Sequence, residues 1–82
     1  MSDGDVHVGS VLRAARSARG LSARRLALDA GLSESVAGKV ETGAIEPSLR
    51  VFALLVSHLG LTDREIALLV RLAATAATGR AE

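Results

Sequence analysis

The sequence predicts an all-α domain of five helices, with a helix-turn-helix at the second and third. Three observations predict it. The step Gly-Leu-Ser occurs twice, at Gly20-Leu21-Ser22 and Gly31-Leu32-Ser33, and each time it marks the end of one helical segment and the start of the next. The apolar half of the chain is mostly Ala, Leu and Val, with one Phe and no Trp or Tyr, which suits closely packed helices. No alternating run rich in Val, Ile and Thr is long enough to read as a strand.

Residues 1–7 read as a disordered leader. Helix 1 is expected from Val8 to Arg19, with Val8, Val11, Leu12 and Ala15 as its core stripe. Gly20 stops it, and Ser22 is a good N-cap because its hydroxyl can accept an N–H that the first turn leaves unpaired. Helix 2 follows over Ala23–Ala30, with Leu26, Ala27 and Ala30 inward. Gly31 makes the turn, Ser33 caps, and helix 3 runs over Glu34–Thr42 with Ala37 and Val40 inward. Gly43 ends it. Ala27 and Gly31 are placed where two helices approach closely. Gly38, in mid-helix, is read as a tight packing position.

A loop, Gly43 to Pro47, leads to Ser48, which caps helix 4. Its expected core face is Leu49, Phe52, Leu55, Val56 and Leu59, and Gly60 closes it. Thr62 with Glu65 forms a capping-box pattern ahead of helix 5, expected over Asp63–Thr78, after which the chain frays. The units are therefore residues 1–7, leader; 8–61, helix-turn-helix domain; and 62–82, a C-terminal helix that serves as a dimerisation element.

The 82 residues suffice for one small domain. Cysteine is absent, which excludes disulfides and thiolate metal sites. His7 and His58 stand alone, without an acid cluster at ligand spacing, so neither a metal nor a cofactor is expected. The N-terminus is no signal peptide, and the longest apolar run, from Ile66, is broken by Arg71 and too short to span a bilayer. A cytoplasmic, nucleoid-associated protein is expected. No nucleophile–base pair, phosphate loop or carboxylate dyad is present, so no enzyme is expected.

The net charge is only +1, but its distribution is uneven. From Ser10 to Leu28 there are five arginines, Arg13, Arg16, Arg19, Arg24 and Arg25, and no acid. Such a local basic patch is either the electrostatic footprint of a small DNA binder or a solvated arginine face, and charge alone does not decide between them.

The motifs in series resemble the lambda-repressor-like family of Cro/repressor-type regulators. The residues that carry the resemblance are Arg16, Gly20-Leu21-Ser22, Leu26-Ala27, Gly31-Leu32-Ser33, Val40-Glu41-Thr42-Gly43, Pro47-Ser48-Leu49 and Leu59-Gly60-Leu61. The resemblance spans about residues 8–61. It implies the five-helix fold, binding of double-stranded DNA through helices 2 and 3, and a homodimer on a palindromic operator. It also implies an ion pair between Arg16 and Glu41, joining helix 1 to the end of helix 3.

By this register, base contacts come from Ser33, Glu34, Ser35, Val36 and Lys39. The chemistry fits: lysine donates to guanine O6 and N7, serine bonds phosphate or a base edge, glutamate accepts from cytosine N4, and valine meets a thymine methyl. Arg24, Arg25, Arg19 and Arg13 are the expected phosphate contacts, which give affinity and register without sequence information. Where the family often carries glutamine early in helix 2 and basic residues after helix 3, this chain has Ala23 and Ala44-Ile45-Glu46. Weak binding by one copy, and a need for pairing, are expected.

Helix 4 carries a second apolar stripe, Val51 and Leu54 with His58, and helix 5 is apolar almost all round. A helix of that kind needs cover on more than one side. The expected dimer or partner surface is Val51, Leu54, His58, Ile66, Leu69, Val70, Leu72 and Ala73. A sequence-specific repressor is thus the leading expectation. The alternative is a protein-interaction module, an adaptor or antitoxin-type protein that binds its partner through the C-terminal helix.

Overall fold

The computed structural model describes residues 7–80, with side-chain surroundings through Thr75. It contains five helices: α1 (Val8–Ala18), α2 (Ala23–Ala30), α3 (Glu34–Thr42), α4 (Leu49–Leu59) and α5 (Asp63–Arg80). No strand occurs among the described residues.

Side-chain caps determine where the helices begin. Ser22 Oγ accepts from Arg25 N at 3.0 Å, Ser33 Oγ from Val36 N at 3.1 Å and Ser48 Oγ from Val51 N at 3.2 Å. At α5 the box is reciprocal: Glu65 N donates to Thr62 Oγ1 at 3.1 Å, and Thr62 N donates to Glu65 Oε1 at 2.8 Å. The turn between α2 and α3 depends on Gly31, whose φ of 73° lies in the left-handed region, while Leu32 N donates to Ala27 O at 2.8 Å. Gly31 has nothing within 4 Å of where a Cβ would stand. Its role is this backbone conformation, and the expectation of close helix approach holds for buried Ala27 only.

Four further expectations are corrected. His7 belongs to the fold and not to a leader: its Nδ1 accepts from Gly9 N at 3.0 Å, and its own N–H donates to Ser10 Oγ at 2.8 Å, which caps α1. Residues 1–6 lie outside the described residues. Arg19 is the C-cap of α1 rather than its last residue, and α5 continues past Thr78 to Arg80. Ala81 and Glu82 lie outside the described residues. Leu49 is 84% exposed. It opens α4 and sits about 100° around the helix from the direction midway between Leu55 and Leu59, so its side chain clears the core that those two enter.

The core is built from Leu12, Ala15, Leu26, Val40, Leu55, Leu59 and Leu69, one or more from each helix, with Val8, Val11, Leu21, Leu32, Val51, Phe52, Val56 and Leu61 packed around them. Helix α1 is central, lying against α3, α4 and α5, while α2 lies against α3 and α4. Gly9 permits the closest approach. A Cβ there would collide with the carbonyl oxygen of Val40 and stand 2.7 Å from that of Glu41. The N-terminus of α1 therefore rests directly on the last turn of α3, and the His7 ring covers Gly43, 3.1 Å from where a Cβ of that residue would lie. No helix among the described residues is long and apolar enough to cross a membrane.

Candidate nucleic-acid interface

Helix α3 can only present a fixed edge if its far end is held, and one guanidinium does most of this. Arg16 Nε donates to Glu41 Oε2 at 2.7 Å and Nη2 donates to Glu41 Oε1 at 3.0 Å, while Nη1 donates to the Leu21 carbonyl at 2.7 Å. The fork thus ties α1, the α1–α2 turn and the end of α3 together. The pair is enclosed, with side-chain exposures of 13% for Arg16 and 7% for Glu41. The hydrogen bonds to Glu41 raise the Arg16 pKa above its ordinary value, against the opposing effect of burial. No buried side-chain N or O among the described residues lacks a partner.

With that brace, Ala37, Val40 and Glu41 face inward and the opposite edge of α3 faces out. Glu34, Ser35 and Lys39 are exposed on it, and Val36 is half-buried. Ser33 is spent as the N-cap of α3, which keeps its hydroxyl at the helix mouth. Thr42, unassigned from the sequence, is exposed one turn beyond Lys39 on the same edge, and its hydroxyl donates to Lys39 O at 3.2 Å. Its i+3 spacing from Lys39 was the available signal.

The arginines divide sharply. Arg24 at the start of α2 and Lys39 on α3 are both exposed, and neither forms an ion pair among the described residues. Arg25 pairs with Asp29 at 3.2 Å on an exposed helix face, an attachment weak enough to be exchanged for a phosphate. Arg13 lines a shallow groove with His7, Ser10, Ser17, Glu41 and Thr42, beside the C-terminal end of α3. Arg19, expected at a phosphate, is bonded within the fold. Its Nη2 donates to Glu65 Oε1 at 2.9 Å and to the Gly60 carbonyl at 3.1 Å, and its Nη1 donates to the Ala15 carbonyl at 2.9 Å. It is a clamp between the end of α1 and the start of α5. The Arg19 bond, reinforced by the Thr62 N–H, lowers the Glu65 carboxyl below its ordinary pKa.

A family model described as a helix-turn-helix domain matches residues 7–69. The chain belongs to that family. The match begins at the histidine that caps α1 and ends at Leu69, the buried anchor of α5, so it takes in every helix pair described above. No curated protein and no solved structure matches the chain. The family is consistent with the Cro/repressor-type resemblance, and α2 and α3 are its helix-turn-helix, the element that DNA-binding regulators use to enter the major groove.

Helices α4 and α5 of this helix-turn-helix domain depart from expectation at two of the surface residues. Leu69 is 1% exposed and belongs to the core. Val51 is half-buried and packs against that core. Both lie within about 60° of the inward direction of their helices, which an almost uniformly apolar sequence conceals. Of the others, Leu54 and Leu72 are half-buried, and His58, Ile66, Val70 and Ala73 are exposed. Ile66, Val70 and Ala73, with Ala67 and Ala74, fall on one side of α5 by their i, i+4, i+7 spacing.

Proposed function

We propose that this helix-turn-helix domain is a sequence-specific DNA-binding transcriptional regulator of the cytoplasm, which acts as a dimer on a palindromic operator and represses by occupying a promoter. Its work is binding and not catalysis. The observation that carries the reading is the braced α3, whose outer edge offers Lys39 and the first-turn residues Ser33, Glu34, Ser35 and Val36, with Arg24 exposed at the start of α2. Arg13, Arg24 and Arg25 supply phosphate contacts around that edge.

Dimerisation is supported by the exposed apolar side of α5, where Ile66 is 40% and Val70 56% exposed. An isologous contact there pairs two recognition helices for successive major grooves, about 34 Å apart. With three arginines from each copy the dimer makes about six phosphate contacts, so its affinity falls about a thousandfold between 50 and 200 mM salt.

The test is a mobility-shift assay on the DNA upstream of the protein's own reading frame. Lys39→Ala, and separately the double variant Arg24→Ala/Arg25→Ala, should weaken binding while circular dichroism stays unchanged. Equal binding by both variants would show that the DNA face is assigned wrongly. A second reading, a protein-interaction module, is favoured by the same apolar side of α5, with Leu68 42% exposed as well. Light scattering coupled to size exclusion separates the two. A homodimer of twice the 8.4 kDa chain mass supports the regulator, and a monomer that binds no DNA supports the interaction module.

A further inference from the structure

Gly38 stands in the middle of the nine-residue α3, where glycine is among the poorest helix formers. The usual reasons for a glycine are missing. Its φ is not positive; the glycines with positive φ are Gly20, Gly31, Gly43 and Gly60. Nothing lies within 4 Å of where its Cβ would stand, so the tight packing expected from the sequence does not exist. Gly9, against which a Cβ would collide with backbone, shows what such packing looks like in the same molecule. The position is half-buried on the flank of α3, one turn beyond the exposed Glu34 and Ser35, next to Lys39, and one turn before Thr42.

We infer that Gly38 is a positioning residue of the DNA interface, whose missing side chain lets the backbone of α3 seat close against the base edges of the major groove. The inference rests on the DNA-binding reading above. An α-helix with its side chains is about 10–12 Å across and the major groove about 12 Å wide, so the side chains facing the bases limit how deep the helix enters. A hydrogen at position 38 removes that limit midway along the edge. It also brings the Lys39 backbone close enough for its ammonium to reach guanine O6 and N7. The cost of glycine to the free helix is then offset only when DNA is bound.

The test uses Gly38→Ala and Gly38→Ser in the full chain. The probes are a duplex of about 30 base pairs, enough for two half-sites, enriched by the wild-type protein from a randomised library, and a mixed-sequence duplex of equal length. Gly38→Ala should raise Tm by about 4–8 °C and weaken binding to the enriched duplex by about tenfold or more. Its binding to the mixed-sequence duplex should change less than about twofold, because phosphate contacts dominate there. Gly38→Ser should weaken enriched-duplex binding at least as much. Unchanged affinity for the enriched duplex, with wild-type binding intact, overturns the inference alone. A lowered Tm in Gly38→Ala also overturns it, since Gly38 would then serve packing. Failure of the wild-type protein to enrich any duplex overturns the DNA-binding reading, and the inference with it.

Discussion

Removing the carboxylate of Glu41 should damage this fold more than any surface charge change. Glu41→Ala leaves the Arg16 guanidinium with its Leu21 carbonyl but without either bond to the carboxylate, at a site where the arginine side chain is only 13% exposed. Breaking a buried pair from one side costs about 3–5 kcal/mol. The remaining access of Arg16 to water and its retained bond to Leu21 put the loss near the lower end, about 3 kcal/mol. A domain of this length has a total stability of about 4–12 kcal/mol, so the variant keeps about 1–9 kcal/mol and its Tm drops by about 12–24 °C. Urea denaturation followed by circular dichroism measures this directly. Pairing Glu41→Leu with Arg16→Met should restore much of the loss, because two apolar side chains need no partner, and the cycle should give a coupling of about 2 kcal/mol. Single losses below about 1 kcal/mol that simply add would refute the brace and reduce the pair to an ordinary surface contact.

Gly9→Ala should destabilise the domain by about 1–3 kcal/mol, since the new methyl meets backbone carbonyls of α3 that cannot step aside; an unchanged urea midpoint would contradict the close α1–α3 contact. The Glu65 carboxyl, lowered by Arg19 and Thr62, contributes stability that is full above about pH 4.3 and disappears as pH falls further, through its folded-state value. The midpoint difference between wild type and Glu65→Gln should therefore be present at pH 7 and shrink in acid, and a difference independent of pH would show that the clamp adds nothing. If the proposed dimer forms through α5, Ile66→Asp with Val70→Asp should leave helicity intact and give a monomer in sedimentation equilibrium, with operator binding lost in parallel. A wild-type protein already monomeric at the concentrations that bind DNA would remove α5 from the interface.

The helix ends were legible because each interior boundary carries its own chemistry: Ser22, Ser33, Ser48 and Thr62 accept the first-turn N–H groups, and glycines close the preceding helices. The Arg16–Glu41 brace was legible only through the family register, since its partners lie 25 residues apart. What stayed hidden has physical causes. Histidine is an uncommon cap, so nothing marked His7 as the start of α1. Apolar composition does not say which side of a helix is covered, and this conceals the exposure of Leu49 and the inward placement of Val51 and Leu69. Arg19 looked like a free cation because its acid, Glu65, is 46 residues away and also belongs to a capping box. Gly38 looked like a packing glycine because a sequence shows a missing side chain but not the empty space beside it.

These features converge on α3. Gly9 and His7 seat α1 on its last turn, Arg16 grips Glu41, Ser33 opens it, and Lys39 and Thr42 stand outward. A helix held this firmly from behind is suited to reading a groove, because its side chains need not be ordered again on binding. The most direct test is amide chemical-shift mapping of isotope-labelled protein titrated with the enriched duplex. The account predicts that the large changes fall on residues 22–25 and 33–43, with α5 unaffected beyond its dimer contacts. Changes confined to α5, with residues 33–43 silent, would contradict it.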